Sequence, residues 1–543
     1  MRREARRSPE VVLLPALVAV ATAVAFSPVL GNEFVGFDDR RTLVANVAYR
    51  GWSPAHLAWM FSTFDMGHYQ PLSWLTFAID WSIGGLRPIT FHLTNLLLHV
   101  ANGLLVYVLA LRILERGGGP ERPLRAVAAA AALFFALHPL RVEAVAWATE
   151  RRDVLATFFV LLTTLAYVRW CGKGGARWWG VALGLYALSL LAGAWGITLP
   201  VVLLALDVGI FRRLEDQRTT WRALLIEKVP FVILAAAAAL LAARAQRESE
   251  AMLQVAEHGV FDRLAQAAYG LAHYVWKTVL PLRLSPLYEL PEPMDPFTAR
   301  FVVSAVVVAG ITIALCVGRR RWPAGLLAWS CYVILVSPVL GFAQSGPQLV
   351  ADRYTYLPCI PFALLLGGML SRLFGSGRRR ALASGAAIVV GLGSLGVLTF
   401  RQSLVWRDTL SLWNQAIAVD PESGFAFYNR ATARRDAGDE DGATADFREA
   451  LRLWPSMPYH GQAIARAAVG DLAGSIADFV EAIRLDPADP VLRYFCGLVR
   501  QATGDAAGAQ RDFLDALEVA PPDWPLRSEV ERLLRTDGGA SGD

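Results

Sequence analysis

Long apolar runs, separated by short polar connectors, dominate the chain up to about residue 400. Each run approaches the roughly 20 apolar residues that a helix needs to cross a bilayer core. The first run extends from Val11 to about Leu30, and the others lie near residues 92–114, 125–138, 153–170, 178–193, 196–211, 229–245, 300–318, 323–341, 356–373 and 381–400. The pattern predicts an all-α bundle of about eleven membrane-spanning helices.

Two apolar segments need separate interpretation. The first run follows an arginine-rich N-terminus and contains Ala23-Val24-Ala25, a tripeptide typical of signal-peptide cleavage sites. Its length and the spans that follow favour instead an uncleaved helix with a cytoplasmic N-terminus. Residues 262–282 contain His273 and Lys277 and would break the alternation of sides. We therefore interpret them as an interfacial or re-entrant helix.

Basic residues cluster in the connectors that alternation assigns to the cytoplasm, as the positive-inside rule requires. They are Arg116, Arg122, Arg125, Lys173, Arg177, Arg212, Arg213, Arg218, Arg222, Arg319, Arg320, Arg321, Arg378, Arg379 and Arg380. The resulting topology places residues 38–39, 138–153, 344–354 and everything after residue 400 on the outer side. We expect a bacterial cytoplasmic (inner) membrane with the C-terminal region in the periplasm. In a eukaryotic host the same topology puts that region in the endoplasmic reticulum lumen.

Composition agrees with a membrane protein and argues against other classes. Hydrophobic residues make up 55% of the chain and charged residues 18%, with a mean hydropathy of +0.39, which indicates a polytopic membrane protein rather than a soluble one. The net charge of +5 is small and spread over the connectors, so no nucleic-acid partner is predicted. The five cysteines are scattered, which favours neither a disulfide framework nor a zinc site.

After residue 400 the sequence becomes polar and repeats at the period of tetratricopeptide helix pairs. Pro421, Pro455, Pro487 and Pro521 follow one another at intervals of 34, 32 and 34 residues. Each unit also has a turn glycine, an aromatic residue and a small residue: Gly438, Phe447 and Ala450, then Gly470, Phe479 and Ala482, then Gly504, Phe513 and Ala516. We predict a membrane domain over residues 1–400, a tetratricopeptide-repeat (TPR) solenoid of about three repeats over 401–535, and a disordered tail over 536–543.

A TPR solenoid offers a groove for an extended peptide or a partner helix. The groove is therefore a possible docking place for an acceptor protein. The other interpretation is a docking or assembly module without a role in chemistry, and the repeats alone do not choose between the two.

Polar side chains share one face of the predicted span at residues 92–114. His92, Asn95, His99 and Asn102 follow one another at helical spacing and therefore face protein or a water-filled cavity rather than lipid. Hydrogen bonding between helices and lining of a polar substrate cavity are both open interpretations. The two histidines are two turns apart and no third ligand is evident, so no metal site is predicted.

Two adjacent carboxylates, Asp38 and Asp39, lie in the first outer loop. A charge at the bilayer centre is unfavourable by roughly 2.5 to 3.5 kcal/mol, so we expect this pair at the membrane face, where a lipid-borne substrate presents its head group. A carboxylate there can act as general base toward a hydroxyl. The alternatives are a structural pair that binds Arg40 and Arg41, and a pair that binds a divalent cation bridging a phosphate.

Two later outer segments combine acidic residues with arginines. Their candidate site residues are His138, Glu143, Arg151, Arg152, Asp352 and Arg353. A guanidinium group near membrane depth suits a lipid-linked phosphate, because its planar fork binds two phosphate oxygens at once. An interfacial ion pair is the simpler interpretation of Asp352-Arg353.

Five motifs together carry a resemblance to a known family. They are Gly31-Asn-Glu-Phe-Val-Gly-Phe-Asp38-Asp39, Tyr69-Gln70-Pro71-Leu72, Leu86-Arg-Pro88 leading into His92-Leu-Thr-Asn95-Leu-Leu-Leu-His99, His138-Pro139 with Glu143, and Asp352-Arg353 with Tyr356-Leu-Pro358. In order and spacing they resemble the transmembrane and tetratricopeptide-repeat-containing (TMTC) family of protein O-mannosyltransferases. The resemblance runs from about residue 28 into the repeats.

The resemblance implies a membrane glycosyltransferase of the GT-C fold that transfers a sugar, mannose in this family, from a polyprenyl phosphate to a Ser or Thr hydroxyl of a protein. It implies an acidic base in the first outer loop, so Asp38 or Asp39 is the expected base, with inversion at the anomeric carbon. The chain departs from the family in three ways. Gln70 stands where many relatives have arginine, Asp352-Arg353 replaces a Glu-Arg pair, and the repeat array is shorter than in animal members.

The chemistry assigns roles to the remaining candidates. A phosphate leaving group needs cations rather than an acid catalyst, so Arg151, Arg152 and Arg353 are expected to bind the donor phosphate. Glu143 is expected to orient the base or the acceptor. The residues expected to line the cavity are His92, Asn95, His99, His138 and Asp352. No cofactor is certain: the lipid-linked sugar is a substrate, and a divalent cation is an open possibility.

Two other functions remain open. A polymerase or ligase that moves whole oligosaccharides would carry its main outer loop late in the chain, whereas the longest motif-bearing loop here is the first. A non-catalytic scaffold would recruit partners through its repeats and use the membrane half as an anchor. A plain anchor does not need polar residues on so many spans, which favours the enzyme.

Overall fold

The computed structural model describes residues 9–117, 121–173, 175–215, 219–248, 259–291, 293–342, 346–374, 378–522 and 524–538. Helices make up almost all of their regular secondary structure. Within these ranges the one sheet is a two-stranded antiparallel ribbon of β1 (Tyr288–Glu289) and β2 (Gln348–Val350). The predicted all-α class is therefore confirmed. The chain divides into two compact units, Met1–Leu412 and Trp413–Asp543, and the domain limits given above stay a prediction.

The helices of the first unit follow the hydrophobic pattern of the sequence. In chain order they are α1 (Glu10–Ala25), α2 (Pro54–Ser62), α3 (Pro71–Gly84), α4 (Pro88–Leu114), α5 (Glu121–Ala136), α6 (Val142–Ala146), α7 (Arg151–Lys173), α8 (Ala176–Ala192), α9 (Leu199–Gly209), α10 (Trp221–Glu248), α11 (Val260–Val279), α12 (Ala299–Val317), α13 (Pro323–Val336), α14 (Ile360–Phe374) and α15 (Arg378–Val405). Among them α4 is central, because it packs against α1, α5 and α7.

An apolar helix occupies every predicted span. In the described residues, 5 helices are long and apolar enough to cross a membrane, and a sixth results if the segments Leu124–Ala136 and Pro139–Ala146, bent by 55°, form one span. The remaining spans coincide with shorter apolar helices, namely α1, α8, α9, α13 and α14. The protein is thus a multi-pass membrane helix bundle, as predicted.

The connector between the first two spans is more structured than a plain loop. It contains a π-helical turn, Arg40–Ala45, and the helices α2 and α3. Pro54 and Pro71 stand in the first turns of these helices, where the fixed φ of proline fits and its missing N–H is not needed. Trp74 and Phe77 of α3 form one buried cluster with Leu43 and with Phe91 of α4. This cluster attaches the connector to the helix bundle.

The segment interpreted as interfacial forms the amphipathic helix α11. Its buried face includes Gln266 and Tyr274, whereas Phe261 and Trp276 on the other face are 71% and 58% exposed. Gln266 donates a hydrogen bond to the carbonyl of Leu349 at 3.0 Å, which joins the helix to β2. The exposed apolar side fits a helix that lies in the membrane surface, and this location stays a prediction.

The second unit is a row of helix hairpins. Its helices are α16 (Thr409–Val419), which contains the division between the units, α17 (Gly424–Asp436), α18 (Glu440–Leu453), α19 (Tyr459–Ala468), α20 (Leu472–Leu485), α21 (Pro490–Ala502), α22 (Ala506–Val519) and α23 (Arg527–Gly538). Packing pairs α17 with α18, α19 with α20, and α21 with α22. The predicted TPR solenoid is therefore confirmed. The predicted tail starts inside α23, and residues 539–543 lie outside the described residues.

The repeated sequence landmarks explain the hairpins. At the three turns Gly438, Gly470 and Gly504 adopt φ values of +82°, +88° and +82°, which only glycine takes without strain. The aspartate after each glycine caps the next helix; Asp439, for example, accepts a hydrogen bond from the N–H of Gly442 at 3.0 Å. The recurring aromatic residue of each unit is buried, so each pair is held by the same side-chain core.

Candidate active site

Asp39 connects the loop that follows α1 to the segment that precedes α7. Its side chain is fully buried. One carboxylate oxygen accepts a hydrogen bond from the N–H of Val35 and the other from the N–H of Thr149, both at 3.1 Å. Burial raises the pKa of Asp39 to about 7, although both hydrogen bonds oppose the rise. Because each carboxylate oxygen accepts a backbone N–H group, Asp39 fixes the loop that contains Val35 relative to the segment that contains Thr149.

Asp38 is the more available member of the pair. It is half-buried, and in the described part of the chain its carboxylate makes no hydrogen bond and no ion pair with Arg40 or Arg41. Burial raises the pKa of Asp38 and the nearby Glu150 carboxylate adds to the rise, whereas the charges of Arg152 and Arg353 oppose it. Asp38 therefore keeps a free carboxylate beside two guanidinium groups.

Glu143 and Glu150 hold these two arginines. The N–H of Arg353 donates to Oε2 of Glu143 at 2.8 Å, and its guanidinium group donates to Oε1 of the same carboxylate. Arg152 donates to Oε1 of Glu150 at 2.5 Å, and Nε of Arg353 lies 3.5 Å from that oxygen. Glu143 therefore positions an arginine, and its predicted role in orienting the base or the acceptor remains untested.

A cavity of about 650 Å³ opens beside these arginines. Its polar lining includes His68, Gln70, Glu150, Arg152, Asp153 and Arg353. Trp195 and Tyr354 also line it, with ring centroids 5.9 Å apart. The apolar part of the wall comes from α8 and α10, with Leu190, Leu191, Leu234, Ala238, Leu241 and Ala242. The cavity therefore combines a charged end with an apolar flank, a shape that suits an amphipathic ligand.

Arg151, predicted to bind the donor phosphate, does not lie at the cavity. Its side chain is fully buried and forms an ion pair with Asp80. Its Nε donates to Oδ1 of Asn95 at 2.8 Å, and Nη2 donates to the carbonyl of Phe91 at 2.7 Å. Because these partners lie on α3 and α4, Arg151 ties α7 to the two helices and is absent from the cavity lining.

Three members of the polar stripe on α4, namely His92, Asn95 and His99, are absent from the described lining of this cavity, against the prediction. All three are buried. The amide of Asn95 donates to the carbonyls of Val145 and Trp147 at 3.3 and 3.2 Å. His99 is 2.7 Å from the Tyr356 hydroxyl, and His92 packs near the ring of Phe34, with 6.5 Å between centroids. Inter-helix bonding was the other interpretation left open.

His138 and Asp352 are also buried away from the cavity, against the prediction. Nδ1 of His138 accepts a hydrogen bond from the N–H of Leu140 at 3.3 Å, and Nε2 lies 3.0 Å from the carbonyl of Thr278. Asp352 accepts from the Tyr288 hydroxyl at 3.1 Å. His138 therefore caps the turn Pro139–Arg141, whereas Asp352 joins the turn that carries Arg353 to Tyr288. Of the residues predicted from the sequence for the functional site, two belong to the described lining of the cavity, namely Arg152 and Arg353.

Sequence reasoning did not select His68, Gln70, Glu150, Asp153, Trp195 and Tyr354. His68 follows a turn in which Met66 and Gly67 both have positive φ, +55° and +72°. Burial, with the charges of Arg152 and Arg353, lowers the pKa of His68 well below its ordinary value, so the ring is neutral. The strained turn at a non-glycine residue is a signal of a functional loop that only coordinates reveal.

The divalent cation left open by the sequence stays a prediction. In the ranges that the structure describes, no group of three or more histidine, cysteine or acidic side chains converges as metal ligands would. Two of the nearby carboxylates, those of Glu143 and Glu150, are held by guanidinium groups.

Taken together, these features define a polytopic membrane protein with a cavity whose lining combines two arginines with an apolar flank. The Asp38 carboxylate lies near those arginines. Over 81% of its length the chain is 25% identical to the human protein O-mannosyl-transferase TMTC1, of which it covers 55%. Over 27% of its length it is 37% identical to the mouse protein O-mannosyl-transferase TMTC2, of which it covers 17%. The resemblance to the TMTC proteins is thus confirmed, although the chain spans about half the length of TMTC1.

No protein-family model matches the chain. Among solved structures, one similarity is to the crystal structure of ArnT from Cupriavidus metallidurans bound to undecaprenyl phosphate. It covers 88% of this chain and 80% of that chain at 16% identity, with a TM-score of 0.32.

Proposed function

We propose that the chain is a membrane glycosyltransferase that moves a sugar from a polyprenyl-phosphate donor to Ser or Thr hydroxyls of proteins on the outer face of the membrane. One observation carries the proposal. The free carboxylate of Asp38 shares its surroundings with Arg152 and Arg353, and these arginines line one end of a cavity whose flank is apolar. The proposal includes the GT-C type of fold, and mannose as the sugar, because the similar TMTC proteins are named O-mannosyl-transferases.

The acceptor hydroxyl needs a base, and Asp38 is the better candidate of the acidic pair. Both oxygens of Asp39 already accept backbone N–H groups, whereas the Asp38 carboxylate is free to accept a proton. The raised pKa of Asp38 makes it a stronger base than an ordinary aspartate. Asp38 removes the hydroxyl proton as the oxygen attacks the anomeric carbon, and the bond from that carbon to the phosphate oxygen breaks. A single displacement of this kind inverts the anomeric centre.

The leaving group is a lipid phosphate, which is stabilised by cations rather than by an acid catalyst. Arg152 and Arg353 supply these cations at the cavity wall. Glu143 and Glu150 hold them in place before the donor binds, so little reorganisation is needed when negative charge develops. The apolar wall from α8 and α10 accepts the first isoprene units of the lipid.

The proposal includes a topology in which the N-terminus is cytoplasmic and the outer loops and the TPR unit share the outer side of a bacterial inner membrane. Basic connectors support this orientation. The TPR unit then faces the compartment that contains the acceptor, and its groove is the proposed place for an acceptor peptide.

The function is tested by sugar transfer in membranes that contain the full chain. Membranes are incubated with labelled polyprenyl-phosphate mannose, and label on protein is read before and after alkaline β-elimination, which releases O-linked sugar. We expect protein-bound, alkali-labile label that is absent from membranes lacking the chain, and a product of inverted configuration. Absence of transfer from every polyprenyl-phosphate sugar, with the protein folded and inserted, would contradict the proposal and favour a scaffold.

A further inference from the structure

Three hydrogen-bond acceptors in the cavity wall are left without partners. They are Oε1 of Gln70, Oε2 of Glu150 and Oδ2 of Asp153, each with no donor in the described structure. The side chains are nearly inaccessible, with 2%, 1% and 2% exposure, yet all three residues line the cavity. Buried acceptors without donors are rare in folded proteins and call for an explanation.

The second oxygen of each carboxylate is firmly held, which fixes where the unpartnered oxygen lies. Oδ1 of Asp153 accepts the indole N–H of Trp195. Oε1 of Glu150 accepts from Arg152. The acceptors are therefore preorganised rather than loosely placed.

Oxygens of this kind accept hydrogen bonds from hydroxyl donors. The diester phosphate of a polyprenyl-phosphate sugar carries no hydrogen to donate, and an isoprenoid chain has no polar hydrogen, so neither part of the lipid donor satisfies these oxygens. A pyranose ring carries several hydroxyl groups that can. Trp195 and Tyr354 line the same cavity and offer ring surfaces against which the C–H face of a sugar packs.

Charge narrows the class of sugar. Near these acceptors the wall already contains the carboxylates of Glu150 and Asp153, and Asp38 lies close by. The positive charges of Arg152 and Arg353 are partly neutralised by these acids and by Glu143. The carboxylate of an anionic sugar, such as a hexuronic acid, would be repelled by the acids of the wall, whereas a neutral hexose would not be repelled.

We propose that Gln70, Glu150 and Asp153 form the subsite that recognises the sugar of the donor, and that they bind the hydroxyl groups of the neutral hexose already contained in the proposed function. The inference rests on the proposed function, since the sugar enters with the lipid phosphate. In this arrangement Arg152 and Arg353 bind the phosphate of the donor, and the three acceptors bind hydroxyl groups of the sugar that is attached to that phosphate.

The test pairs variants with donors that lack one hydroxyl. Asp153→Asn keeps a carbonyl oxygen for Trp195 and converts the second acceptor into an amide donor, and Gln70→Ala removes an acceptor on a different element. Transfer by the full chain is measured with polyprenyl-phosphate mannose and with its 2-, 3-, 4- and 6-deoxy analogues. In the wild type, loss of a recognised hydroxyl is expected to lower kcat/KM by about tenfold or more, as expected for a lost hydrogen bond to a charged group.

The decisive readout is the loss of that penalty. The deoxy penalty is the factor by which removal of one sugar hydroxyl lowers kcat/KM. In Asp153→Asn, and separately in Gln70→Ala, we expect this factor to shrink toward one at a single hydroxyl position and to persist at the other positions. A merely structural role would lower all rates by one common factor. Penalties that stay equal to the wild type at every position, in both variants, overturn this inference.

The same data separate the two proposals. If the wild type transfers mannose from the polyprenyl phosphate but both variants show the same deoxy penalties as the wild type, the proposed function stands and the subsite is rejected. No wild-type transfer from any donor rejects the proposed function itself. A uronic acid donor that is used as well as the hexose contradicts the charge argument and, with it, the proposed sugar class.

Discussion

Glu143 holds Arg353 by two hydrogen bonds, one from the backbone N–H at 2.8 Å and one from the guanidinium group. The carboxylate therefore fixes both the start of the turn Asp352–Thr355 and the direction of its arginine. Arg353 lines the cavity and Glu143 does not. The pair connects α6 to the segment that precedes α14, and it decides where one cation of the site lies.

Glu143→Gln should weaken donor binding. The glutamine carbonyl can still accept the backbone N–H of Arg353, so the turn is preserved, but the guanidinium group of Arg353 loses its charged partner. Truncating one member of a buried ion pair commonly destabilises a protein by about 3–5 kcal/mol, and the isosteric amide keeps part of the bonding. We expect a KM for the lipid donor that rises at least about tenfold, with a lower thermal midpoint. Glu227→Gln, at a half-buried acid in α10 outside the cavity lining, serves as control. An unchanged KM would show that Arg353 needs no such support.

Asp39 should make stability depend on pH. Its pKa is about 7 in the folded protein and about 4 in an unfolded chain. The folded state thus binds this proton more tightly, so raising the pH from about 4 to about 7 removes stability that protonated Asp39 contributes. Asp39→Asn should flatten this dependence, so the difference in unfolding free energy between variant and wild type should change by up to about 4 kcal/mol across the range.

Thermal unfolding of the purified chain in detergent between pH 4 and pH 8 measures this effect. The variant also carries a constant penalty of about 1–3 kcal/mol, because its amide nitrogen cannot accept the second backbone N–H. Parallel curves for wild type and variant would mean that Asp39 stays ionised in the folded protein.

Arg151 and Arg152 should separate stability from activity. Arg151→Met leaves Asp80 buried without its partner and should lower the unfolding free energy by about 3–5 kcal/mol, whereas the double variant Arg151→Met/Asp80→Leu should recover most of it. Arg152→Gln keeps an N–H donor for Glu150, so it should lower the unfolding free energy less than Arg151→Met does, and it should lower kcat/KM about a hundredfold by removing a phosphate contact. If the Arg151/Asp80 double variant is stable but inactive, Arg151 belongs to the site after all.

Transfer should not depend on an added metal ion. In the described residues no group of three or more histidine, cysteine or acidic side chains converges as metal ligands would, and Glu143 and Glu150 each bind an arginine. We expect activity within about twofold of the untreated sample after exposure to excess EDTA. Loss of activity that Mg²⁺ or Mn²⁺ restores would instead assign the acids to a cation bound with the donor.

The membrane helices were predictable from sequence because bilayer thickness sets the length of an apolar run. The repeat unit was predictable because its glycines, aromatic residues and prolines recur at a fixed period. Helix α3 was missed because its apolar pattern is interrupted by Asp80, whose buried partner Arg151 lies on a distant helix. Pattern reasoning cannot pair charges that tertiary structure brings together.

The site was only partly predictable for the same reason. The sequence singled out Asp38, Arg152 and Arg353 as polar residues at the ends of spans, and the structure brings them together. It could not distinguish Arg151 from Arg152, because adjacent helical residues point in different directions and only packing decides which one is buried. Glu150 and Asp153 gain significance only from contacts with Arg353 and Trp195, which are remote in sequence.

The central claim is that Asp38 is the base of a lipid-dependent sugar transfer. The most direct measurement compares wild type, Asp38→Asn and the matched control Glu33→Gln, an exposed acid in the same loop, for transfer from labelled polyprenyl-phosphate mannose. Folding and membrane insertion are checked in each sample. The account predicts that Asp38→Asn lowers kcat by about a hundredfold or more while Glu33→Gln transfers as the wild type does. Wild-type kcat for Asp38→Asn would contradict it.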